Sequence, residues 1–473
     1  MKQHALITVL AVLTGLLLLV PTVLCVFAFA LPAQYTETFL GELPCKMERL
    51  RNAEGPRIIL VGGSSVPFSI KSELIEASFP EYTAVDFGLY AELGTPIMLD
   101  WLEEELREGD LVIISPEQDS QALSAYFSGE SVWQAVDGSF SLLKRLSPDR
   151  YEGLLAALPV FAGKKCRYFL DGSPQPNDIY ARASFNRYGD IDSPLRKANI
   201  MAGGYDPNQS ISFSTDVISG DFLGLLNQFA ALCQEKGAEV YYRFPPMNRA
   251  ALEDASEKTV DRYYDFLRQQ LDFPILGDPH RSILESGWFY DTNFHLNGSG
   301  ATIFTRYLIE DLKLLWKDTS PTEIAVPPMP EPAVPGLIDG DNSCVDCFTY
   351  AQAQGGWIIS GLTEKGLTAQ ALILPVSLEG QSVVGIAADA LTGAAALREV
   401  TIQENIGTLY DGMFSGCARL EKVILTGESP SAYTVGDGLL EGAEFLICVK
   451  ASALDSYRRH YSWQRYSAYL IAQ

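Results

Sequence analysis

Four apolar residues, Ile58 to Val61, run into Gly62-Gly63-Ser64-Ser65, and the chain then turns apolar again as far as Ile70. A short apolar run stopped by glycine predicts a buried strand of an α/β sheet, with the next residues at the open carboxyl edge. The same texture recurs at 83–88 (TAVDFG), 110–115 (DLVIIS), 238–244 (AEVYYRF) and 273–277 (FPILG). Residues 95–109 and 300–316 instead carry apolar positions three and four apart, the spacing of amphipathic helices. Strands alternating with helices predict a mostly parallel sheet covered on both faces.

Two stretches break this pattern. From Gln3 to Thr36 there is no Asp, Glu, Lys or Arg, and Ala5 to Ala30 is almost wholly apolar. About 20 apolar residues span a bilayer as a helix, whereas signal-peptide cores run roughly 7–15. A retained anchor is expected over 1–34, with a cleaved signal peptide as the alternative. Either would export the rest of the chain, so the bulk is expected to be extracytoplasmic, held at the cell membrane. The second break, 319–343, carries Pro321, Pro327, Pro328, Pro330, Pro332 and Pro335 and loses all apolar periodicity. Such a segment acts as a semi-rigid spacer and divides an α/β domain at 35–318 from a second domain at 344–473.

Beyond the spacer the chain repeats. ADALTGAAALREVTI (388–402) recurs as DGMFSGCARLEKVIL (411–425) and, more weakly, as DGLLEGAEFLICV (437–449). A period in the range of about 20–29 residues, with one alternating strand per unit, describes a small β-rich solenoid. The pattern F-S-G-C-x-x-L-x-x-V-x-L and the ending VKASALDSYRRHYSW resemble the BspA-type leucine-rich repeats of bacterial surface proteins.

Composition narrows the function classes. With 59 Asp+Glu against 35 Lys+Arg the net charge is −24, which repels phosphate backbones and argues against a nucleic-acid partner. Of eight cysteines, seven lie outside the apolar segment, an odd number that leaves at least one thiol without an internal partner. Cys344 and Cys347 form CVDC, but no second pair or neighbouring histidine completes four ligands, so no metal or cofactor is expected.

A hydrolytic serine needs a base, usually histidine, and a group that orients the base. Only His280 and His295 fall in the α/β domain. His280 follows Asp278, and His295 stands four residues after Asp291 in a polar loop directly before the last amphipathic helix. The second pair is the better placed to reach the serines at the sheet edge.

A first strand ending in Gly-x-Ser, with Asp and His together near the end of the domain, resembles the SGNH (GDSL-like) hydrolases. The GSS form is most similar to their membrane-anchored DltD- and AlgJ-like acyl-transfer relatives. The resemblance implies a flavodoxin-like three-layer α/β fold over about 55–317. It sets Gly63-Ser64-Ser65 on the Gly-Asp-Ser block, making Ser65 the nucleophile, His295 the base and Asp291 its orienting partner. VDFGLYAELG matches the second block, with Gly88 donating its N–H to the oxyanion beside that of Ser65. Gln118 stands in for the absent asparagine of the third block. Asp291 and His295 have three intervening residues where the family has two, which a helical turn would accommodate, since positions i and i+4 share a face.

The implied function is an ester hydrolase or O-acyltransferase acting on acylated envelope glycans or wall polymers. The alternative is a surface binding or adhesion protein without activity, whose repeats carry a protein or glycan ligand.

Overall fold

The computed structural model describes residues 19, 21–173, 179–201, 204–206, 209–254, 256–331, 340–353, 356–436, 438–460 and 462–473. Most of the expected anchor, residues 1–18 and 20, lies outside them, as do 332–339 of the spacer. Among the described residues no helix is long and apolar enough to cross a membrane.

The first domain is built on β1 (Arg57–Gly62), β2 (Thr83–Gly88), β3 (Leu111–Ile114) and β4 (Glu239–Tyr242). All pair in parallel, in the order β2-β1-β3-β4. The run at 273–277 contributes only a parallel bridge from Ile275 to Tyr242. The order reverses direction at β1, and a parallel sheet opens its ligand crevice at the carboxyl ends of strands flanking such a switch point.

The helices around this sheet are α1 (Leu43–Asn52), α2 (Ser65–Ser69), α3 (Ser72–Ser78), α4 (Thr95–Glu103), α5 (Gly129–Ala135), α6 (Tyr151–Asp171), α7 (Gly220–Glu235), α8 (Glu257–Gln270) and α9 (Gly298–Leu315). The strand period of two sorts the sheet residues into two cores. Ile59, Val61, Val85, Phe87, Val112 and Ile114 pack with Leu43 and Met47 of α1, Trp101 of α4 and Phe222 of α7. Ile58, Leu60, Ala84, Leu111 and Ile113 pack with Ile75 of α3 and Phe304, Leu308 and Leu312 of α9. Both faces are therefore covered. Full burial of side chains this size contributes about 1.5–3 kcal/mol each, which explains why β1 is apolar on both faces.

Gly62 and Gly63 are required by close approach and not by backbone conformation, since neither has positive φ. A Cβ on Gly62 would sit 2.4 Å from the Ser115 carbonyl oxygen, and one on Gly63 2.3 Å from Glu117 Oε2. The segment leaving β3 thus presses directly on the turn leaving β1.

In the second domain a five-stranded parallel sheet includes Glu399–Ile402, Lys422–Leu425 and Leu446–Val449. Val400 pairs with Val423, and Val423 with Ile447, so the sequence repeat is the step between strands. Phe348–Ala353 and Gly356–Leu362 open the domain as an antiparallel pair, which the repeat did not predict. None of the eight cysteines is bridged, Cys344 and Cys347 included. Among the described residues no group of three or more His, Cys, Asp or Glu could hold a metal ion.

Candidate functional site

β1 delivers Ser64 to the carboxyl edge of the sheet two residues after its last position. Ser64 occupies the N-cap position of α2 but makes no side-chain capping bond. Its buried Oγ instead lies 2.8 Å from His295 Nε2. The side chain thus faces the histidine loop and does not cap the helix.

The nucleophile expected at Ser65 is not the serine that meets the histidine. Ser65 is the first residue of α2 and turns into the protein, where its amide donates to Glu117 Oε1 at 2.9 Å. Neighbouring side chains at the start of a helix point about 100° apart, so only one of the two serines can face His295. Sequence alone offered both, and the block alignment chose the inward one.

His295 reaches Ser64 from the loop before α9. Asn297 fixes that loop. Its Nδ2 donates to the carbonyls of Gly287 and Phe289, and its Oδ1 accepts the amides of Ser299 and Gly300 as the N-cap of α9. Asp291 Oδ1 lies 2.9 Å from His295 Nδ1. The three-residue spacing is bridged by a non-helical turn. Thr292 Oγ1 accepts the amides of Phe294 and His295, and this side-chain turn folds Asp291 back onto the ring. With Nδ1–H directed at Asp291, Nε2 is left to accept the Ser64 hydroxyl proton.

Phe68 and Tyr180 touch the imidazole, and Arg196 braces the segments that carry it. Phe68 of α2 stacks on it, with ring centroids 4.0 Å apart and planes 6° from parallel. Arg196, buried, donates to the carbonyls of Phe68, Leu296 and Ile191, tying α2 to the histidine loop. Burial lowers its pKa to about 10. Tyr180 donates to Asp291 Oδ2 at 2.5 Å and stands 3.2 Å from His295 Nδ1. No motif marked Tyr180 or Arg196, because packing brings them in from distant segments, whereas Phe68 follows the serines directly in α2.

His280, the other candidate base, sits 2.8 Å from Asp261 at the surface and belongs to a different part of the molecule. The three expected oxyanion donors are all engaged elsewhere. The Ser65 amide is held by Glu117, the Gly88 amide donates to Asp86 Oδ1 at 3.0 Å, and Gln118 Nε2 donates to the Ser212 carbonyl at 3.1 Å. Asp86 is itself paired with buried Lys46 at 3.0 Å. Its carboxyl is nonetheless pushed up to about 7, chiefly by burial. Burial likewise raises the Glu117 carboxyl, with Asp119 adding like-charge repulsion.

No protein-family description matches the chain, and no curated protein sequence does. Among solved structures it is similar to the leucine-rich repeat protein of T. pallidum, at 18% identity over 23% of this chain and 70% of that one, with a TM-score of 0.16.

Proposed function

We propose that the chain is a serine ester hydrolase or O-acyltransferase of the SGNH type, working through Ser64, His295 and Asp291. The observation that carries this reading is the 2.8 Å contact between Ser64 Oγ and His295 Nε2, with Asp291 on the far side of the ring. It is supported by the strand order β2-β1-β3-β4 and the two covered faces, which fit the flavodoxin-like three-layer arrangement of that family.

In the proposed reaction Ser64 Oγ attacks an ester carbonyl while its proton passes to His295 Nε2. The C–O bond to the leaving alcohol breaks, and that alcohol takes the proton from Nε2. The acyl group then sits on Ser64. Water or a second hydroxyl attacks it, again giving its proton to Nε2, and Ser64 recovers its hydrogen as the acid or new ester departs. A positioned base of this kind contributes about 10²–10⁴ in rate. Asp291 keeps the productive tautomer and balances the imidazolium charge. The resemblance stated for the sequence supplies the substrate class: acylated glycans or wall polymers at the outer face of the cell membrane. The uncharged N-terminal segment would keep the domain there as an anchor.

The second reading is an inactive surface protein that binds a protein or glycan through its repeats. One observation favours it: the amides of Ser65 and Gly88 already donate to buried carboxylates. An oxyanion donor contributes about 2.7–4 kcal/mol to the transition state, so their engagement bears on rate. Reaction of the full chain with a fluorophosphonate separates the two. Covalent labelling of Ser64 supports the hydrolase reading; an unlabelled protein leaves the binding reading.

A further inference from the structure

We infer that Tyr180 is a positioning residue for the Ser64–His295–Asp291 relay, acting through the Asp291 carboxylate. The inference rests on the proposed hydrolase reading and adds to it a residue from outside the strand-and-loop blocks that define the site.

The phenol bridges the far end of the relay. It donates to Asp291 Oδ2 at 2.5 Å, while Oδ1 faces His295 Nδ1 at 2.9 Å and the phenol oxygen itself lies 3.2 Å from Nδ1. With one carboxylate oxygen on Tyr180 and the other on the imidazole, rotation of Asp291 about its last bond breaks both contacts. This matters here because Asp291 stands in a side-chain turn and not on a helix, so its own backbone does less to orient it. Tyr180 is itself held from outside the site. The next residue, Ala181, bridges Thr38, and Arg182 donates its amide to Glu37, so the segment is pinned to the stretch preceding α1. The Tyr180 ring packs 5.6 Å from Phe39 and 5.9 Å from Phe68, centroid to centroid, and Phe68 stacks on the imidazole.

The test is Tyr180→Phe in the full chain, with p-nitrophenyl acetate as substrate. The ring packing is kept and only the hydroxyl is lost. Loss of alignment should lower kcat by about tenfold with KM little changed. In an Asp291→Asn background the same change should cost nothing further. An unchanged kcat overturns the inference, as does a fall in kcat matched by an equal change in KM, and so does a loss that persists in full beside Asp291→Asn. If the wild-type chain neither turns over this ester nor reacts with a fluorophosphonate, the hydrolase reading itself fails.

Discussion

Ser64 Oγ and His295 Nε2 lie 2.8 Å apart although 231 positions separate them in the chain. Two local devices produce that contact. The turn after β1 sets Ser64 toward the histidine loop, and the Asn297-centred loop before α9 sets His295 against it. Ser64→Ala should abolish fluorophosphonate labelling, whereas Ser65→Ala should retain most of it. His295→Ala should slow labelling by about 10² or more, since an unassisted hydroxyl is a weak nucleophile at neutral pH. His280→Ala should change it little, because that ring is committed to Asp261. Labelling rates of the four variants check the assignment, and loss of reactivity only in Ser65→Ala would reverse it.

Gly62→Ala should impair the same reaction without touching a reacting group. The added Cβ would fall 2.4 Å from the Ser115 carbonyl oxygen. That atom is backbone and cannot swing aside as a flexible side chain does. Relief requires β1 and the segment after β3 to separate, at a cost of about 1–3 kcal/mol, the usual range for overpacking. The prediction is a lower Tm together with slower labelling of Ser64. A variant with unchanged Tm and rate would show that the turn tolerates the shift.

These sites also show where the sequence was readable. The unbroken apolar run of β1, the glycine stop and the amphipathic pattern of α9 are local signals, and the sheet with two covered faces is their consequence. The Asp291–His295 pair was visible because both residues share one loop. The choice between Ser64 and Ser65 was not, since it depends on a single step of rotation at the start of α2. Tyr180 and Arg196 carry no periodicity or motif, and their roles come from long-range packing of the segment between α6 and α7. The expected donors Gly88 and Gln118 were placed by block alignment, which has no knowledge of the acceptors, Asp86 and the Ser212 carbonyl, that hold them.

Glu117 gives a pH signature. Burial first, then Asp119, raises its carboxyl above the ordinary range in the folded chain. Between its ordinary and its raised value the folded state binds more protons than the unfolded one, so this group lets stability fall as pH rises. Its contribution is fully present below the ordinary carboxyl value and is lost as pH climbs through the raised one. Glu117→Gln keeps an oxygen for the Ser65 amide and removes the charge. Its Tm should therefore match wild type near pH 4 and exceed it increasingly toward pH 7. Thermal unfolding across that range tests the sign, and a gap that shrinks with rising pH would refute it.

Trp463 tests whether the two domains stand independently. It is fully buried, donates Nε1–H to the Pro430 carbonyl at 3.1 Å, and packs edge-on to Tyr457 and Tyr466. Tyr457 in turn donates to the carbonyls of Gly427 and Ser429, so the C-terminal aromatic cluster closes the end of the repeat stack. Removing so large a buried side chain costs about 3–5 kcal/mol. The described residues of the Pro-rich spacer form no helix or strand between this core and the one surrounding Ser64, so the loss should stay local. Trp463→Ala should give an early melting step confined to the repeats, and trypsin should cut within 344–473 at temperatures where wild type resists. Fluorophosphonate labelling of Ser64 should be unaffected until the second step. If labelling and repeat protection disappear together in a single transition, the two cores unfold as one unit and the division at the spacer is wrong.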